Sequence, residues 1–188
     1  YSTEPLVLPD PFDPSNYPAG FPVPCGLTSR KVTEGQTTSI DPGNYLELDT
    51  RPGGKIVLSP GTYNVCKLTI LGELEASGPV TINVRDRFML GQAATFVPAS
   101  GFAAGQVQVN VEGKKAVKFG KDSTFSARLF APLSNMKIGA GSVVTGHIVV
   151  RRLGCSSGFT IIPAPLVVPA CGNGSLDLGE TCDPPGAP

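Results

Sequence analysis

Phe88-Met-Leu90-Gly-Gln-Ala-Ala94-Thr-Phe96, Val117-Lys-Phe119-Gly-Lys-Asp-Ser123-Thr-Phe125 and Met136-Lys-Ile138-Gly-Ala-Gly-Ser142-Val-Val144 share one pattern. It runs apolar, any, apolar, Gly, any, any, small, any, apolar. Apolar residues two apart face one side of a strand. The glycine then turns the chain, and the small residue fits inside the corner. Working outward, glycines recur at Gly53, Gly72, Gly91, Gly120, Gly139 and Gly158, at spacings of 19, 19, 29, 19 and 19. The long step holds Val97–Gly105, a small-residue stretch that reads as a loop insertion. A second column reads Tyr63-Asn64-Val65, Ile82-Asn83-Val84 and Val109-Asn110-Val111. Its asparagines are expected to stack as an amide ladder, each side chain both donating and accepting.

A coil of about 19 residues cannot bury its apolar face alone, so such coils must stack. The sequence predicts an all-β, single-stranded β-solenoid of six to seven coils between Thr37 and Ile162. At a strand spacing of about 4.8 Å it is about 30 Å long. Long helices are excluded by 23 Gly and 19 Pro among 188 residues, given the cost of either inside a helix. A β-sandwich has similar short strands and turns, but it does not explain a repeated glycine interval.

The formal net charge is zero, from 15 Lys+Arg and 15 Asp+Glu, which argues against a protein dominated by phosphate binding. The zero hides a sorted distribution. Residues 1–24 carry Glu4, Asp10 and Asp13 and no base; residues 163–188 carry Asp177, Glu180 and Asp183 and no base. With −3 at each end, residues 25–162 carry +6. Prolines crowd into the same ends. The expected organisation is an acidic, Pro-rich N-terminal arm and cap (1–33), a solenoid body (34–162) and an acidic, Pro-rich C-terminal arm (163–188). No apolar run approaches the roughly 20 residues that span a membrane, so no membrane span is expected.

The six-residue units Leu90–Thr95, Phe119–Thr124 and Ile138–Val143 resemble the hexapeptide repeat of left-handed β-helices. The stretch Ser142-Val-Val-Thr-Gly146-His-Ile148-Val-Val resembles bactofilins, the polymer-forming bacterial β-helices. Near the C-terminus, Cys171-Gly-Asn-Gly174 with Leu178-Gly-Glu180-Thr-Cys182-Asp183 resembles the opening of the Cys-rich repeats in secreted proteins of myxobacteria and related groups. The first resemblances imply a solenoid, and the bactofilin one a polymer. The last implies export from a diderm bacterium.

The five cysteines, 25, 66, 155, 171 and 182, form no Cys-x-x-Cys pair and read as disulfides of an exported protein. Cys66 and Cys155 lie four to five coils apart, beyond disulfide reach. The expected pairs are Cys171–Cys182 and Cys25–Cys66, leaving Cys155. Catalysis is not expected. His147 is the one histidine, which excludes sites that need two. Arg85-Asp86-Arg87 reads as a surface turn; counting back one coil places Lys67 beside Asp86, so no second carboxylate is expected there. Thr62 and Thr81 align, but the row does not continue as an ice-binding ladder would. Lys114, Lys115, Lys118 and Lys121 form a basic run without the aromatic interleaving of a nucleic-acid site, so it reads as a solvated face or a dock for an acidic arm. No metal or cofactor is expected.

The sequence therefore reads as an exported structural subunit, extracellular or on the cell surface, whose partner is a further copy of itself. Solenoid stacking and arm exchange would link the copies, with Leu6, Leu8, Phe21 and Val23 as the arm's apolar residues. Gly72, Gly91, Gly120 and Gly139 are its repeat-turn residues. The alternatives are a monomeric carbohydrate-active or carbohydrate-binding β-helix, with surface polysaccharide as partner, and a cell-surface adhesin module.

Overall fold

The computed structural model describes residues 24–164. The chain is a β-solenoid of about seven coils built from fifteen parallel strands in two sheets. Long strands form the first sheet: β1 (Ser29–Val32), β3 (Gly43–Thr50), β5 (Gly61–Ile70), β7 (Val80–Leu90), β9 (Val107–Val111) with β10 (Val117–Phe119), β12 (Arg128–Ile138) and β14 (Ile148–Cys155). Short strands form the second: β2 (Thr37–Ile40), β4 (Lys55–Leu58), β6 (Glu73–Ala76), β8 (Thr95–Pro98), β11 (Thr124–Ser126), β13 (Val143–Thr145) and β15 (Thr160–Ile162). Val97 and Pro98, expected to open the insertion, belong instead to β8, where they pair with Glu75 and Ala76; the chain leaves the coil at Ala99 and returns through a 3-10 turn, Ala104–Gln106.

Alternation dictates what is buried. In β7 the inward Val80, Ile82, Val84, Phe88 and Leu90 are buried, and the residues between them face out. Phe88, Val117 and Met136 stack in one inward column, and Leu90, Phe119 and Ile138 in the next. The widest part of the core is aromatic. Phe119 and Phe125 lie 4.9 Å apart by ring centroid, with Phe96 5.3 Å from Phe125 and Phe88 5.6 Å from Phe119.

One column sets the period. Val32, Thr50, Ile70, Leu90, Phe119, Ile138 and Cys155 are successive partners at the last strand position before each corner. Subtracting their numbers gives coils of 18, 20, 20, 29, 19 and 17 residues. The glycine interval of 19 is therefore an average over coils that slide in phase. Gly91, Gly120 and Gly139 come one residue after the column, Gly72 two, and Gly53 and Gly158 three.

These positions need glycine for different reasons. A Cβ on Gly120 would stand 2.5 Å from Gln92 N, and one on Gly139 2.5 Å from the Gly120 carbonyl carbon; the corners stack backbone on backbone. At the third corner position the backbone is left-handed, at Gly53 (φ +73°) and Gly158 (φ +69°) but also at Ala93 (φ 53°) and Asp122 (φ 56°). Inside the corners Ala94, Ser123 and Ser142 are buried. Ser142 Oγ donates to the Gly120 carbonyl at 2.7 Å, and the two serine hydroxyls lie 3.1 Å apart.

The long strands bend at bulges, which turn one sheet into two faces. Val65 pairs with Val84 but Lys67 pairs with Arg87, so Arg85 and Asp86 together oppose Cys66. This corrects the sequence register: the residue one coil before Asp86 is Cys66, not Lys67. A wider irregularity sets Pro132, Leu133 and Ser134 against Arg151.

Candidate functional site

The asparagine ladder lies on the outer face of the long strands, before the bend. Asn64 Nδ2 donates to Asn44 Oδ1, Asn83 to Asn64 and Asn110 to Asn83, each at 2.9 Å. Gln108 Nε2 donates to Asn110 Oδ1 at 2.8 Å. The sequence reading missed Asn44, because Gly43-Asn44-Tyr45 lacks the apolar residue that precedes asparagine in the other coils. The ladder stops where Phe130 takes the next position. Every central amide uses its partners within the row, so the ladder reads as structural rather than catalytic. Thr62 and Thr81 are direct neighbours. Their row continues as Gln108, Arg128 and His147, so no threonine ladder forms.

Cys25 and Cys66 are bonded, with Cα atoms 5.4 Å apart and a sequence separation of 41. The bond ties the segment before β1 to the bend of β5. Cys155 is free and exposed at an inward position of the last coil. Cys171 and Cys182, and the arm residues Leu6, Leu8, Phe21 and Val23, lie outside the described residues.

Asp86 Oδ2 sits 3.4 Å from Arg85 at the bulge. Lys55 Nζ bridges Glu75 at 2.8 Å and Glu73 at 2.9 Å on the face of the short-strand sheet. Hydrogen bonds to Glu75 and then Glu73 hold the Lys55 ammonium above its ordinary pKa. Among the described residues no three His, Cys, Asp or Glu side chains gather as a metal site. No described helix is long and apolar enough to cross a membrane.

The two ends of the solenoid differ in chemistry. At the first coil the positions that continue the inward columns are Val32 and Ile40, both buried, and Arg30 and Thr38, both exposed and polar. At the last coil they are Leu153 (44% exposed), Cys155 and Ile161 (38%), with Phe159 in the corner (37%). β14 and β15 each pair on one side only among the described residues, with β12 and with β13. Among the described residues the last coil is thus an apolar surface rimmed by unpaired backbone N–H and C=O groups, the arrangement that accepts another strand. The apolar pattern up to Ile162 marked the body, but sequence alone did not show that Leu153, Phe159 and Ile161 are exposed on its last coil. No protein-family model matches the chain, and no curated protein and no solved structure matches it either.

Proposed function

We propose that the chain is a structural subunit that self-assembles outside the cell into a filament or sheath. The observation that carries this reading is the last coil: Leu153, Phe159 and Ile161 are exposed beside two strands whose outer edge is unpaired among the described residues. Such an edge calls for a cap or another chain. Direct stacking of one subunit's first coil on another's last coil sets Arg30 and Thr38 against Leu153 and Ile161. That buries a guanidinium on an apolar surface and is unfavourable. An apolar strand from a neighbour avoids the mismatch, which favours arm exchange as the link. The Cys25–Cys66 bond is compatible with an oxidising, extracellular setting.

Negative-stain microscopy of the purified protein tests the reading. Filaments with a subunit repeat of about 30 Å, the height of seven coils, are expected. Single particles of 4–6 nm at every concentration would overturn it.

A further inference from the structure

Beyond the bend, the outer face of the long strands carries the molecule's unbalanced charge. Lys67 and Arg87 are direct cross-strand neighbours, and so are Lys118 and Lys137. Arg152 follows one strand on, opposite Asn135. All five are exposed, on strands about 4.8 Å apart. Lys114 and Lys115, exposed on the connection into β10, add two more cations at the level of Lys118. From residue 76 to 162 the chain holds ten Lys and Arg against three carboxylates, Asp86, Glu112 and Asp122, a balance of +7.

Three cations off this face are neutralised in place. Lys55 lies between Glu73 and Glu75, Arg51 beside Asp49, and Lys121 beside Asp122. Lys67, Lys118, Lys137 and Arg152 have no ion-pair partner among the described residues. The carboxylates near this face are Glu47, the direct cross-strand neighbour of Lys67, Asp49 beside Arg51, Asp86 held by Arg85, and Glu112 at its edge. Like charges directly opposite one another destabilise a sheet, so two such pairs on one face point to an anion laid along it.

We infer that this face binds an acidic polysaccharide, a polymer with one carboxylate on each sugar unit, running along the solenoid axis. Its regular charge matches cations that recur coil after coil. The chain's own N-terminal arm matches poorly. Glu4, Asp10 and Asp13 stand six and three residues apart, about 20 Å and 10 Å in an extended chain. Single-stranded nucleic acid needs aromatic platforms, and the outward residues here are Lys67, Thr69, Arg87, Met89, Lys118 and Lys137. The inference uses coils three to seven and stands apart from the filament reading, since it involves neither the arm nor the open end.

The test is binding of the full chain to polygalacturonate, with dextran and a single-stranded oligonucleotide as comparisons. Polygalacturonate should bind at low salt and release at high salt, and dextran should not bind. The K118Q/K137Q variant should lose about tenfold in affinity, the effect of two exposed ion pairs, with its thermal midpoint kept or raised. Lys121→Gln, at the corner and paired with Asp122, should bind as the parent does. No binding to polygalacturonate overturns the proposal, as does equal loss in Lys121→Gln or tighter binding of the oligonucleotide. A deletion of residues 1–24 that binds polygalacturonate at least tenfold more tightly also overturns it, because the arm is then the face's occupant. Filament images do not enter any of these outcomes, so the two readings fail separately.

Discussion

At the scale of single residues, the core is set by a few large side chains that alternate with outward polar ones. Phe119 touches both the column of Phe88 and the ring of Phe125. Phe119→Ala should cost about 3–5 kcal/mol, as for other buried phenylalanines, read from the denaturation midpoint in urea. A loss below about 1 kcal/mol would mean that the ring is not packed as described. Tyr63 gives a second, pH-dependent test. Its ring is fully buried, and its hydroxyl lies 2.7 Å from the Ile40 carbonyl and 2.8 Å from that of Ser59. Burial, with Tyr45 and Asp41 nearby, pushes the phenol well above its ordinary pKa. The fold therefore prefers the neutral phenol. That stability is complete below the unfolded value near 10 and falls as pH rises above it toward the folded value. Tyr63→Phe should cost about 1 kcal/mol at neutral pH, from the lost hydrogen bond. The gap between parent and variant should shrink above about pH 10; a gap that stays constant to pH 11 would refute the assignment. Both residues were readable in the sequence as members of apolar columns. The tyrosine's buried hydroxyl was not, because the carbonyls that receive it belong to Ile40 and Ser59, and only the coil geometry brings Ile40 near.

At the scale of elements, the period was legible and the phase was not. Corners demand a residue without Cβ where backbones stack, so glycine marks them in the sequence. The corner after β5 holds only Leu71 and Gly72, whereas the corner after β7 holds Gly91 through Ala94. A two-residue difference lets the glycine interval stay at 19 while the glycine moves along the corner. Ala93 and Asp122 hide the left-handed position, since neither residue type announces it. The bulge at Arg85-Asp86 was also silent, because polar residues suit an exposed bend whether or not a residue is inserted. The asparagine column was plain, since identical amides recur at matching offsets. Its energetics follow from position. Asn83 donates to Asn64 and accepts from Asn110, while the exposed Asn44 only accepts, from Asn64. Asn83→Ala should cost about 1–2 kcal/mol and Asn44→Ala about half that or less. Equal costs in urea denaturation would show that the amides do not act as a row.

At the scale of the whole molecule, the asymmetry between its ends decides how copies can join. Beside the buried Val32 and Ile40 the first coil exposes Arg30 and Thr38, and the last coil exposes Leu153 and Ile161, so these exposed positions are not complementary as they stand. The N-terminal arm has chemistry that suits the last coil, whose outer edge is unpaired among the described residues. Leu6-Val-Leu8 and Phe21-Pro-Val23 supply alternating apolar residues, and Pro5, Pro9 and Pro22 restrict the extended registers open to them. The arm is tethered by Cys25 to Cys66 in β5, toward the first-coil end. The arm's −3 charge and the body's +6 should speed the encounter and weaken with salt, while apolar strand contacts persist. Deleting residues 1–24 retains Cys25 and every described strand, so the truncated protein should fold with a β-rich far-ultraviolet spectrum and an intact Cys25–Cys66 bond. It should no longer polymerise. An added peptide of residues 1–24 should bind the truncated body, and Ile161→Lys should abolish that binding by placing a charge on the apolar end. If the truncated protein still forms native-like fibres, copies join through their coil ends without the arm, and the mismatch of Arg30 against Leu153 must be relieved by another route.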